Sequence, residues 1–270
     1  MDWHMHTAKE IIDYMESQRD DAQREVLMRF FKTGPGEYGE GDEFLGLKVP
    51  QTRQVVKAIG SEVSLPEVAT LLENRWHEVR LCGFLLLVSS FEKLCTKRLI
   101  NDAEAMKKRD EIVDFYLQHA HRANNWDLVD LSAPKLLGRW LTLPTLHAAD
   151  DAIYKRQVMD SLAYSDSQQM GITALWRQRI GMVSTWTTSQ QGDPSWCLRY
   201  AEVHLHHPHD LMQKAVGWML REMGKRVSAD LLCDFLRQHA HEMPRTMLRY
   251  SIELLPADER RLWLGKEKDE

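Results

Sequence analysis

Apolar residues recur along this chain at steps of three and four, and almost nowhere at alternate positions. In residues 7–32 the apolar set is Ile11, Ile12, Tyr14, Met15, Val26, Leu27, Phe30 and Phe31, with a polar break near Gln18 to Asp21. That pattern predicts two helices or one bent helix. From residue 50 onward the same period predicts helices near 50–60, 65–74, 77–91, 94–106, 109–121, 126–140, 147–163, 167–187, 195–204, 209–224, 228–241 and 245–255. Pro66, Pro144, Pro194, Pro208, Pro244 and Pro256 sit at or near the breaks, where a residue without an N–H is tolerated. The breaks are short, so successive helices should pack antiparallel.

One stretch departs from the helical pattern. Gly34-Pro35-Gly36-Glu37-Tyr38-Gly39-Glu40-Gly41-Asp42 contains a formal G-x-G-x-x-G. A dinucleotide site is excluded: no strand pattern precedes it, Pro35 removes a donor, and Glu37, Glu40, Asp42 and Glu43 would repel a phosphate. An ordered loop is the expectation, with Pro50 in the first turn of the helix that follows.

The helices repeat. Asp114-Phe115-Tyr116-Leu117-Gln118-His119-Ala120-His121 returns 120 residues later as Asp234-Phe235-Leu236-Arg237-Gln238-His239-Ala240-His241. That shift is three units of about 40, the period of helical-pair repeats. Gly83, Gly181 and Gly217 echo one another inside apolar helices. A mid-helix glycine costs up to about 1 kcal/mol relative to alanine, so its reuse predicts close approach of neighbouring backbones. The fold class is therefore all-α: a curved α-solenoid of antiparallel helical pairs with a concave surface. A single domain over 1–270 is expected, with 1–24 as a helical cap and 256–270 as a polar, flexible tail.

Composition narrows the function classes. No run of 18 or more apolar residues appears, which argues against a membrane span. The start, Met1-Asp2-Trp3-His4-Met5-His6, lacks the basic and apolar segments of a secretory signal. Cys82, Cys95, Cys197 and Cys233 show no paired spacing and read as reduced thiols of a cytoplasmic protein. The formal net charge is −5, which speaks against an indiscriminate polyanion binder but allows a local basic face. His204, His206, His207 and His209 surround Pro208 in an inter-helix turn, with no Cys or carboxylate pattern to fix a metal geometry. His4 and His6 are weaker candidates still, and no metal or other cofactor is expected.

Candidate chemistry starts at residues 124–134. Asn125 suits an N-cap and Asp127 the first helical turn, where the helix dipole favours negative charge. Trp126 and Asp130 are four apart and share a face, an aromatic plate beside a carboxylate. That pair either stabilises a cation or is a packed tryptophan next to a capping helix start. Trp218, Arg221, Glu222 and Lys225 share a face on the 209–224 helix; Trp176, Arg177 and Arg179 lie on 167–187; Arg245 and Arg249 are one turn apart. Together they would make a basic, aromatic groove for phosphates, or else Trp176 and Trp218 are core residues and the arginines are solvated or paired with glutamates.

Four segments resemble the AlkD-like alkylpurine DNA glycosylases, which are built from HEAT-like repeats. They are Phe31 to Gly46 with its Phe31-Lys32-Thr33-Gly34 and Phe44-Leu45-Gly46 ends; His77-Glu78-Val79-Arg80; Asn125-Trp126-Asp127-Leu128-Val129-Asp130; and Trp176-Arg177-Gln178-Arg179-Ile180. Lys214 to Trp218 and Met243 to Tyr250 extend the likeness, which spans about 25–255. The resemblance implies hydrolysis of the N-glycosidic bond of cationic N3- and N7-alkylated purines in base-excision repair. It places the catalytic aspartate at Asp130, the active-site tryptophans at Trp126 and Trp218, and the DNA-contacting arginine at Arg179, with Arg177 its near competitor. Arg177, Arg221, Lys225, Arg245 and Arg249 become the candidate phosphate contacts, and Asp127 is left to serve the helix N-terminus. The implied partner is double-stranded DNA carrying alkylated purines, bound by a monomer. The competing reading is a non-catalytic solenoid that binds damaged or branched DNA, or a protein; binding without base release would distinguish it.

Overall fold

The computed structural model describes residues 7–59 and 63–265, and among these it is helical with no strand; one isolated bridge joins Glu43 and Trp76. His4 and His6 lie outside the described residues. The helices form two compact units.

The first unit runs through Ser132 and includes Pro144–Leu146. The break at Gln18 to Asp21 separates two helices, α1 (Ala8–Ser17) and α2 (Asp21–Phe30). Thr7 and Glu10 form a capping box on α1, and the Asp20 side chain accepts from Gln23 to cap α2. Then come α3 (Val49–Ile59) and α4 (Leu65–Leu72). The central element is α5 (His77–Lys93), apolar on nearly every side and buried over most of its length, packed against α3 and α4.

The chain departs from its sequence pattern after α5. Helices expected at 94–106 and 109–121 are replaced by turns over 94–102 and one helix, α6 (Ala103–Gln118), capped by Asp102. The reason is Arg109, which is fully buried. Its guanidinium donates to the carbonyls of Leu94 at 2.8 Å, Leu99 at 3.1 Å, Ile100 at 2.7 Å and Pro144 at 3.3 Å. Those carbonyls are satisfied without a helix. The unit's last helix is α7 (Trp126–Ser132).

The expected helix 126–140 is also interrupted. Pro134 has no N–H to continue α7, and Pro134–Gly138 forms a π-helical turn before α8 (Arg139–Leu141). This segment belongs to the second unit, which resumes at His147. Its helices are α9 (Asp151–Ala163), α10 (Ser167–Met170), α11 (Ile172–Gln190), α12 (Ser195–Val203), α13 (Asp210–Arg226), α14 (Ala229–His239), α15 (Arg245–Ser251) and α16 (Ala257–Gly265). The stretch 167–187 is thus two helices, broken at Gly171 with φ 55°. The stretch expected as a tail carries α16.

The core of this unit is α11, packed against α9, α12, α13 and the π turn. Ser184 on α11 donates to Ala133 O at 3.2 Å and Thr187 to Pro134 O at 2.6 Å, serving carbonyls beside the proline. Of the three echoed glycines, Gly217 fits the expected close approach: a Cβ there would lie 2.5 Å from Met247 O on α15. Gly83 approaches only the side chains of Leu71 and Leu72, and Gly181 has ordinary room beside Leu162. The 120-residue echo is structural. Phe115 packs at a tilt against His119 at the end of α6, and Phe235 against His239 at the end of α14, with centroids 4.2 and 4.6 Å apart.

Candidate active site

In the first unit the candidate residues sit at the start of α7. The Asn125 side chain is buried and accepts from the Trp126 N–H at 2.8 Å. Trp126 is half-buried. Its ring stacks on Phe31 at 5.2 Å and meets the edge of the exposed Phe30 at 5.7 Å. Phe31 in turn stacks on Phe44 at 5.2 Å, and Phe44 on the imidazole of His77 at 4.4 Å. An aromatic column therefore runs from the partly open Trp126 down to a buried histidine. Asp130 lies one turn along α7 and is half-buried. Burial raises the Tyr116 hydroxyl, against a hydrogen bond with Ser132, and the charge of Asp130 adds to that rise. Asp130 is therefore close enough to act on Tyr116 electrostatically.

Beneath this pair is an ionic network that the sequence did not reveal. His77 Nδ1 lies 2.8 Å from Asp42 Oδ2, and His77 Nε2 lies 2.8 Å from Asp127 Oδ2. Arg80 donates to the other oxygen of Asp42 and, at 3.1 and 2.8 Å, to the carbonyls of Asn74 and Arg75. All four side chains are buried. Burial works against the charged form of His77, but the charges and hydrogen bonds of Asp127 and Asp42 outweigh it and raise the imidazolium to about 9. Burial would likewise raise Asp42; the His77 hydrogen bond and charge and the Arg80 charge overcome this and hold its carboxyl below the usual range.

Asp127 thus corrects its expected role. One oxygen accepts from the Leu128 N–H at 2.9 Å, within the helix start, while the other holds His77. The acidic loop is ordered, as its sequence predicts, and its carboxylates face inward on the loop itself. Glu37 and Glu40 accept from the Gly34 and Gly36 N–H groups at 2.9 Å, folding the loop on itself, and Asp42 turns inward to His77 and Arg80. Gly39 is required by proximity, since a Cβ would stand 2.4 Å from Phe31 O. Next along, Glu78 accepts from the N–H groups of Leu45, Gly46 and Leu47 at 2.8, 2.8 and 3.0 Å. His77, Glu78, Arg80, Asp42 and Phe31 are the site residues that periodicity missed. His77, Glu78 and Arg80 opening a helix whose next stretch, Leu81 to Val88, is apolar were the available signal.

The His77 network carries a stability prediction. Its folded value of about 9 lies above the ordinary 6.5, so the stabilisation is complete below about pH 6.5 and is lost as pH rises through about 9. Urea unfolding should show the free energy falling by a few kcal/mol across that window. His77→Gln should remove this component of the slope; equal slopes in the two proteins would count against the imidazolium.

The second unit holds the remaining candidates. Trp218 is half-buried on α13, while Trp176 is a core residue at 1% exposure and lines no groove. Arg179 is buried, and its Nη1 donates to Leu211 O at 2.5 Å, tying α11 to the start of α13. Arg177 is half-buried with Nε donating to Ser165 Oγ at 3.0 Å, and burial lowers its pKa. Arg221 is ion-paired with Glu253 and with Glu222, the latter at 3.1 Å. Lys225, Arg245 and Arg249 are exposed.

The histidine turn is structural in what it contacts. His207 Nε2 lies 2.9 Å from Gln178 Oε1, the His209 ring accepts from the Leu211 N–H to cap α13, and His206 pairs with Glu242 at 3.3 Å. His204 is buried, and burial followed by the charge of His207 pushes it down to about 3. Among the described residues, no three His, Cys, Asp or Glu side chains group as metal ligands, and no helix is long and apolar enough to cross a membrane.

Against known proteins, a family model described as DNA alkylation repair enzyme matches residues 11–255. A comparison with curated proteins finds no match. Among solved structures, a protein described as a predicted DNA alkylation repair enzyme from Enterococcus faecalis superposes with a TM-score of 0.60. It is 12% identical, and the match covers 88% of this chain and 97% of that one. At that identity the likeness concerns the fold.

Proposed function

The chain belongs to the DNA alkylation repair enzyme family, and from that premise we propose that it is a monofunctional glycosylase. It hydrolyses the N-glycosidic bond of N3- and N7-alkylated purines in duplex DNA, as a cytoplasmic monomer without a cofactor. The observation that carries this reading is the Trp126 face and the Asp130 carboxylate, one helical turn apart at a partly open position over a rigid aromatic column.

The chemistry follows from charge. Alkylation at N3 or N7 makes the purine cationic and a good leaving group. When the N-glycosidic bond breaks, its electron pair goes to the purine and cancels that charge. The deoxyribose is left oxocarbenium-like, and the Asp130 carboxylate stabilises it. A water oxygen then bonds to the anomeric carbon, and its proton passes to the carboxylate. The products are a free base and an abasic site. The Trp126 ring attracts the cationic lesion or sugar through its quadrupole, at roughly 0.5–2 kcal/mol.

Trp218 belongs to the second unit, and its equivalent role rests on the resemblance alone. The same holds for a DNA contact by Arg179, whose guanidinium already holds Leu211 O. Arg177, Lys225, Arg245 and Arg249 supply phosphate contacts in this reading, and Arg221 would exchange Glu253 for a phosphate. Incubation of the protein with methylated duplex DNA should liberate 7-methylguanine or 3-methyladenine, detected by chromatography. Neutral lesions should remain, because nothing protonates their leaving base. Salt-dependent DNA binding with no base released from any alkylated duplex would overturn the catalytic reading in favour of a binding protein.

A further inference from the structure

The proposed reaction needs Trp126 and Asp130 in a fixed attitude, yet α7 is seven residues long and begins at Trp126. A helix that short is marginal by itself, so its orientation must come from what it is tied to. Among the contacts that hold the start of α7, two involve His77. The first is the 2.8 Å bond from His77 Nε2 to Asp127, the residue after Trp126. The second is aromatic: the His77 ring lies 5.0 Å from Phe31, the ring on which Trp126 stacks. On its other side, His77 Nδ1 is anchored to Asp42, which Arg80 holds in turn.

The protonation follows from geometry. A neutral imidazole has one donor and one acceptor nitrogen. Its acceptor nitrogen would then face a carboxylate oxygen at 2.8 Å, lone pair against lone pair. Only the imidazolium donates to both carboxylates. Its charge and that of Arg80 then balance Asp42 and Asp127, so the buried set is neutral as a whole. The ring thus links Asp42, at the end of the acidic loop, to Asp127 on α7 through one hydrogen bond on each side.

We propose that His77, clamped as a double donor between Asp42 and Asp127, is a positioning residue that sets the attitude of Trp126 and Asp130. This inference rests on the glycosylase reading for its catalytic consequence, though not for its structural one. The protein touches substrate through Trp126 and Asp130; His77 acts only through them.

The test combines fluorine NMR with single-turnover kinetics. Fluorotryptophan is incorporated throughout, and the Trp126 resonance is identified by its absence from Trp126→Phe. In His77→Gln, which keeps one donor but no charge, the Trp126 resonance should move or broaden while the tryptophan signals of the second unit stay in place. The single-turnover release rate should fall by about a hundredfold, as expected for a misplaced catalytic group, with the Kd for alkylated DNA close to the unaltered value. Asp127→Asn, which weakens only the α7 side of the clamp, should shift the same resonance in the same sense. An unshifted Trp126 signal in a folded variant overturns the proposal. So does loss of fold in both variants, which would make the clamp purely structural. The fluorine signal does not depend on catalysis. If the unaltered protein releases no base, the glycosylase reading fails while the Trp126 shift still decides the positioning.

Discussion

Asp130→Asn is expected to lose base release by about 10²–10³-fold while keeping its affinity for alkylated DNA. The substitution keeps the shape of the side chain and removes its charge. Asp130 is half-buried on α7, where water screens it less than on an open surface. In the ground state the positive charge is on the purine; in the transition state it moves to the sugar. An interaction that strengthens with that movement lowers kcat when removed and leaves binding nearly intact. The measurement is single-turnover liberation of 7-methylguanine from methylated duplex, with DNA affinity measured in parallel. Release at the unaltered rate would remove Asp130 from the mechanism.

The largest stability effect should come from Glu78→Ala, about 3–5 kcal/mol, since each buried N–H left without an acceptor costs about 1–3 kcal/mol. Glu78 is 1% exposed and accepts three consecutive backbone N–H groups, from Leu45, Gly46 and Leu47. Deleting it strands three buried donors at once. The loop cannot move away to find water. Leu45 O accepts from the Asp20 N–H at 3.0 Å, and Gly46, at φ 96°, lies so close to Asp20 that a Cβ would stand 2.1 Å from its carbonyl oxygen. Glu78→Gln should cost less, since one oxygen still accepts. Folded domains hold only about 5–15 kcal/mol in total, so the alanine variant should unfold at a much lower urea concentration. A shift equivalent to under about 1 kcal/mol would show that the loop does not depend on Glu78.

Residues 42–47 become ordered through side chains that arrive from α5. The glycine-rich stretch before them is a self-closed loop, because the Gly34 and Gly36 amides are taken by Glu37 and Glu40. The acidic residues that excluded a nucleotide there are Glu37 and Glu40, turned onto the loop's own amides, and Asp42, turned onto His77 and Arg80.

Much of the architecture was legible in the residue pattern. Helical periodicity predicted the all-helical class, the proline breaks and most helix positions. The Phe115–His119 echo at Phe235–His239 was visible as letters and returned as paired ring contacts. The missed elements share a cause. The turns at 94–102 depend on Arg109 supplying donors from a distant position, and the π turn at Pro134–Gly138 depends on Ser184 and Thr187. Local propensity contains no such partner.

The candidate site divides along the same line. Trp126 and Asp130 share a face because they are four apart in a helix, a relation that needs nothing beyond the chain's own period. The partners of Asp127, Asp42 and Glu78 could not be read that way. Each finds its partner 31 to 50 residues away along the chain. A buried charge persists only when an opposite charge or a set of donors meets it, and which groups meet is settled by packing. Periodicity determines which faces turn inward; tertiary structure alone decided that a histidine would bind two of those inward carboxylates beneath the tryptophan.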